Sequence, residues 1–143
     1  MPKTFNLKLI TPNATVLDAD VEQIIARAVD GEVGILPDHI PLITPLTVAP
    51  FQYWAGGERK VAAVLGGMME VSKEGVTIIS DHAALAEDID VVIAEKEKEL
   101  AEAKLAQKKD KLDVQKAELE LSRLLVMLEV AELAKKLKNI RMG

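Results

Sequence analysis

Gly and Pro stop abruptly halfway along this chain. All six prolines and seven of the eight glycines lie within the first 75 residues, and neither residue occurs from position 76 to position 142. Glycine supplies left-handed backbone for tight turns, and proline fixes φ and removes a donor, so both punctuate strands and interrupt helices. The front of the chain is therefore predicted to be a compact, turn-rich β module and the back to be long helices. Such a chain is better suited to connecting or regulating other molecules than to enclosing an active site.

Charge divides at the same place. Residues 1–88 carry 6 basic and 12 acidic side chains, whereas residues 89–143 carry 12 and 11. Dense, balanced charge is the mark of a solvated helix. There is no cysteine, which excludes disulfide scaffolds, thiolate zinc sites and cysteine nucleophiles. Neither a secretory signal nor an Arg- and Ser-rich transit segment is expected from the N-terminal residues. The most apolar run, residues 40–51, is broken by Pro41, Pro45 and Pro50. It falls far short of the roughly 20 apolar residues a membrane helix needs. An overall charge of −5, without a basic stripe, points away from nucleic acid.

In the front half, Phe5, Leu7 and Leu9 alternate with polar residues, as in a half-buried strand. Thr11-Pro12-Asn13 is a turn. Residues 21–29 read as a further strand, closed by Asp30-Gly31. Residues 48–54 and 59–65 flank Ala55-Gly56-Gly57-Glu58 as a hairpin. Gly66-Gly67 interrupts the second of these before residues 68–72 resume it, and Lys73-Glu74-Gly75 turns into residues 76–80. Eight to ten short strands of this kind predict an all-β sandwich or barrel.

In the back half, Asp88 is placed to cap a helix with Asp90 in its first turn. This helix runs to about Gln107 with a thin apolar stripe of Ile89, Ile93, Leu100 and Ala103. A polar break at 107–111 precedes a second helix over 112–138, about 40 Å long at 1.5 Å per residue. That helix has two apolar faces. Leu112, Leu119, Val126 and Leu133 repeat every seven residues, joined by Val130 and Leu137. Ala117, Leu121, Leu124, Leu128 and Ala131 lie on the opposite side. One face can zip against the first helix; the other needs the β module or a second protein.

The densest local signature is Gly31-Glu32-Val33-Gly34-Ile35-Leu36-Pro37-Asp38-His39-Ile40-Pro41-Leu42, whose glycines and prolines make a rigid, shaped loop. It is followed by Leu65-Gly66-Gly67-Met68-Met69-Glu70-Val71, by Ala86-Glu87-Asp88-Ile89-Asp90, and by the charged helical pair. In this order, over nearly the whole chain, the segments closely resemble the epsilon-subunit family of bacterial F-type ATP synthases, whose mitochondrial counterpart is called delta. The resemblance implies a ten-stranded N-terminal β-sandwich, residues 1–87, and a C-terminal antiparallel two-helix hairpin, residues 88–143.

It also implies a role. The sandwich would bind the foot of the rotating gamma subunit and the polar loops of the membrane c-ring, coupling proton or sodium flow to rotation without catalytic residues of its own. The complex would sit peripherally on the cytoplasmic face of the bacterial inner membrane. Family contacts carry over to Glu32 and His39 for the c-ring, and to Thr11, His39 and Thr44 for gamma. In many bacterial relatives the hairpin extends to the alpha/beta catalytic hexamer and inhibits ATP hydrolysis. In some, ATP binds the folded hairpin through Ile/Leu-Asp-x-x-Arg-Ala. Here the segment reads Ile89-Asp90-Val91-Val92-Ile93-Ala94, with isoleucine at the arginine position, which cannot pair with a phosphate. Ala84, Leu100 and Met127 stand at other ATP-contact positions, so that only Asp90 and Arg123 remain. ATP binding is therefore expected to be weak or absent, with Ile93 joining Ile89 and Leu100 in the hairpin seam.

Two other classes compete. An enzyme would need a chemical constellation, but His39 and His82 belong to no metal-ligand spacing, and none of the Gly pairs forms a phosphate loop. Glu87, Asp88 and Asp90 fit helix-start chemistry better than a cation site. A free helical-hairpin adaptor without an ATP synthase role is the other alternative, since the seven-residue repeat permits an intermolecular bundle.

Overall fold

A computed structural model describes residues 3–107 and 109–142, with side chains through Asn139. Eight strands come first: β1 (Phe5–Thr11), β2 (Ala14–Val21), β3 (Gln23–Ala28), β4 (Gly31–Ile35), β5 (Leu42–Ala55), β6 (Glu58–Ser72), β7 (Gly75–Ile79) and β8 (Ala83–Leu85). A 3-10 turn, Ala86–Asp88, leads to α1 (Val91–Gln107) and α2 (Lys111–Met142). The strands are hydrogen-bonded in the order β2-β1-β7-β6-β5-β3-β4, with β8 on β6. β1 and β7 pair parallel, and the other pairs are antiparallel.

The expected ten strands become eight among the described residues because β5 and β6 are long. They span 14 and 15 residues and run through what the glycine pair was expected to interrupt. Their ladder keeps one register from Leu42↔Val71 to Ala55↔Glu58 and skips only the level of Thr47 and Gly66. Gly66 and Gly67 have φ of 88° and 121°, so the pair bends the strand without ending it. Each long strand thus serves both layers of the sandwich. Three further strands lie where the sequence showed none: residues 14–21 form β2, the first five residues of the Gly31–Leu42 signature form β4 rather than loop, and Ala83–Leu85 forms β8.

Period-two alternation sends Leu7, Leu9, Ile24, Ala26, Met69, Val71, Val76 and Ile78 into one core with Phe51. Residues 61–65 of β6 are buried on both faces, which is why they read Val-Ala-Ala-Val-Leu without a polar residue. Ala62 and Val64 point into the sandwich. Val61, Ala63 and Leu65 point outward and meet Ile89, Val126 and Val130. The first apolar face of α2 therefore covers the sandwich, with Leu133 and Leu137 continuing the contact.

The helical half departs from expectation in two respects. The cap of α1 is Asp90, not Asp88: its carboxylate accepts the Ile93 N–H at 3.1 Å, while Asp88 ends the 3-10 turn. Asp110 caps α2 through the Leu112 N–H at 3.0 Å. The seam of α1 is also different. Its buried residues are Ala94 and Ala101, whereas Ile93 and Leu100 are 54% and 61% exposed. Small side chains let two helices approach closely, so α1 rolls to place the alanines inward and leaves the larger residues outside. Ile89 packs on the sandwich instead. Of the polar break expected at 107–111, Lys108 lies outside the described residues.

Candidate functional site

The alternation that fills the core also fixes what the sheet shows outside. With Thr44, Leu46, Met69, Val71, Val76 and Ile78 inward, Ile43, Met68 and Ile79 point outward and are 68%, 44% and 59% exposed. Pro45 pairs with Met68, Met68 with Ile79, and Ile79 with Ile10. Directly opposed residues share a face, so these four form one apolar row across β5, β6, β7 and β1. An apolar row on the outer face of the sheet, continued by Ile43, offers contact area and no group that could carry out a reaction. In the sequence this row stands behind the stronger inward alternation of the same strands. The signal was present in the second apolar set of the same strands.

The residues implied by resemblance fall around this face without converging. Glu32 is exposed on the terminal strand β4, opposite Arg27. Thr11 ends β1 and donates its hydroxyl to the Ala14 carbonyl at 3.2 Å, closing the β1–β2 turn. His39 is half-buried, and its Nδ1 lies 2.7 Å from the Ile40 carbonyl oxygen, to which it donates. Thr44 is buried, with only 8% of its surface accessible. It is Ile43 and Pro45, its neighbours, that reach the surface.

Nor are the degenerate nucleotide-motif residues brought together. The Asp90 carboxylate is occupied as the α1 cap, and Ile93 faces solvent. Arg123 lines a cleft of about 320 Å³ between α1, α2 and the β7–β8 connection, together with Ala84 and Met127. Its Nε is buried without a hydrogen-bond partner among the described residues. Three carboxylates, Asp81, Glu97 and Glu120, line the same cleft. The cleft thus holds three carboxylates to one guanidinium, with His82 also on its wall. Among the described residues, no group of three His, Cys, Asp or Glu side chains is placed to hold a metal ion, and no helix is long and apolar enough to cross a membrane.

Comparison with known proteins covers both halves. The family described as ATP synthase, delta/epsilon chain, beta-sandwich domain matches residues 4–86, and the corresponding long alpha-helix domain matches residues 87–132. An ATP synthase epsilon chain of Caldanaerobacter subterraneus subsp. tengcongensis is 46% identical over 92% of this chain and 96% of its own length. That of Bacillus velezensis is 40% identical over 90% of this chain and 98% of its own length. Among solved structures, a chain of the Euglena gracilis mitochondrial ATP synthase, OSCP/F1/c-ring, superposes with a TM-score of 0.74 at 27% identity, covering 92% of this chain and 82% of that one.

Proposed function

This chain belongs to the delta/epsilon family of ATP synthase subunits, and from that premise we propose that it works as a non-catalytic central-stalk subunit of a rotary F-type ATP synthase. It couples c-ring rotation to gamma and to the alpha/beta hexamer during ATP synthesis. The carrying observation is the apolar row Pro45–Met68–Ile79–Ile10, with Ile43 beside it. A contiguous apolar row on an outer sheet face marks a partner-binding surface, and gamma is the partner we assign to it. The β module, residues 1–87, is the unit that holds gamma and the c-ring. Glu32 and His39 serve the c-ring side, and Thr11 and His39 border the gamma side. Thr44 supports that side from within, through Ile43 and Pro45.

The hairpin, residues 88–143, is the regulatory unit and inhibits ATP hydrolysis when it leaves the sandwich for the hexamer. ATP binds it weakly or not at all, because the acids around Arg123 oppose a phosphate; micromolar affinity in a direct titration would overturn this. The complex lies peripherally on the cytoplasmic face of a bacterial membrane.

ATPase rates of an alpha-beta-gamma complex test the reading, with the full chain added in one arm and a fragment ending at Asp88 in the other. Inhibition by the full chain alone assigns the brake to the helices. If both bind and neither inhibits, the chain couples and assembles only. A chain carrying Met68→Asp and Ile79→Asp is expected to lose binding. If it bound as tightly as the parent, the apolar row would not be the gamma surface.

A further inference from the structure

A second cleft, of about 660 Å³, lies where the later turns of α2 pass the tip of the β5–β6 hairpin and the 3-10 turn. A volume of this size suits a small organic molecule. Its apolar wall comes from both halves of the chain. Val61 and Leu85 belong to the sandwich, and Ala134 and Leu137 to α2. The cleft therefore exists only while α2 lies on the sandwich.

One polar group stands on its floor. Tyr53 is only 5% exposed, and its ring packs beside Phe51 in the sandwich core. The charge that acts on its phenol is that of Glu87, on the wall of the same cleft, so the hydroxyl end is the part that reaches the cleft. That hydroxyl makes no hydrogen bond among the described residues. A buried phenol ordinarily has a partner, and this one is a donor still open to a ligand.

The rim is basic. Lys60 comes from β6, and Lys135 and Lys138 from α2. None of these three is ion-paired among the described residues. Arg59 also lines the cleft but is engaged, donating to the Gln52 side-chain oxygen at 2.7 Å and lying over the Trp54 ring. Glu58 and Glu87 are the acids of the lining, so basic groups outnumber acidic ones by four to two. Over residues 1–88 the balance is reversed, at 6 to 12. The carbonyl end of α2 favours nearby cations, which accounts for Lys135 and Lys138 but not for Lys60 or the open phenol.

We propose that this cleft binds an amphipathic organic anion, whose acid head accepts from the Tyr53 hydroxyl and faces the lysine rim while its apolar body covers Val61, Leu85 and Leu137. The head gains a charge-assisted hydrogen bond, and the body gains by leaving water.

Octanoate is the probe, titrated into the full chain at about pH 8, where the acid is ionised, the lysines are charged and the phenol is neutral. Ionic strength is held constant, and calorimetry is paired with NMR of the ring signals of the single tyrosine. Saturable binding that shifts those signals is expected. Octanol, which lacks the charge, and acetate, which lacks the body, should each bind at least about fivefold more weakly. Tyr53→Phe keeps the ring and should weaken octanoate about fivefold in the calorimetry, and Lys60→Gln about threefold. Lys73→Gln makes the same charge change just past the other end of β6 and should stay within about twofold of the parent. Binding that leaves the Tyr53 signals in place, or no saturable binding at all, overturns the proposal. Octanol binding as tightly as octanoate overturns it too, since apolar adhesion would then suffice. So does an equal loss in Lys60→Gln and Lys73→Gln, or parent-like binding by Tyr53→Phe and Lys60→Gln.

Discussion

At Gly67 a side chain has nowhere to go. A Cβ there would lie 2.2 Å from the Ile79 carbonyl oxygen and 2.9 Å from the Ser80 Cα, and φ is 121°. Those neighbours are backbone of β7 and its exit, so they cannot swing aside. Gly56 differs: it also has positive φ, at 60°, but nothing lies within 4 Å of its Cβ position. Gly67→Ala is expected to cost roughly 3 kcal/mol or more, combining clash with strain, and Gly56→Ala about 1 kcal/mol from the backbone alone. Urea denaturation midpoints of the two variants check the difference. Equal losses would mean that β6 and β7 separate easily at this point.

Among the elements, α2 carries the connection between the halves. Val130 is fully buried in the outer cluster with Val126 and Ile89, against Val61, Ala63 and Leu65 of β6. By contrast, α1 buries only Ala94 and Ala101 and contributes little apolar area to the assembly. The hairpin is therefore docked through its second helix, and the first is carried with it. Val130→Asp places a carboxylate in that apolar layer at a cost of roughly 3 kcal/mol or more. Limited proteolysis followed by mass spectrometry should then release the helices while the sandwich remains intact. Leu125→Asp, at a position 45% exposed, should leave the digestion pattern unchanged. If Val130→Asp were digested like the parent, contacts other than this cluster would hold the hairpin.

Over the whole molecule, the sandwich gives its single tyrosine an alkaline liability. Burial raises the Tyr53 pKa above 10.0, and the negative charge of Glu87 raises it further. The folded state thus favours the neutral phenol. Below pH 10 the phenol is neutral in both states, and stability is unaffected by it. As pH rises past 10, the unfolded chain ionises first, and folding stability falls until the folded-state value is passed. Tyr53→Phe removes that loss, so its stability should decline less than the parent's above pH 10. Phenolate absorbance gives a clean readout, because the chain has one tyrosine. A parallel decline in parent and variant would assign the alkaline sensitivity to other groups.

The sequence by itself determined the division of the chain into materials. Glycine and proline fix local backbone geometry, so their confinement to the first 75 residues marked the β module and the helices without reference to anything distant. The two faces of α2 were likewise legible, since 3.6-residue periodicity is a property of the helix alone. Only the tertiary structure decided which partner each face meets. It turned the Val126–Val130 face onto β6 and rolled α1 onto Ala94 and Ala101, leaving Ile93 outside. It also joined residues on four strands into the row Pro45–Met68–Ile79–Ile10. Residues so far apart in sequence share a face only through strand register, and register is set by how the whole sheet closes on its core.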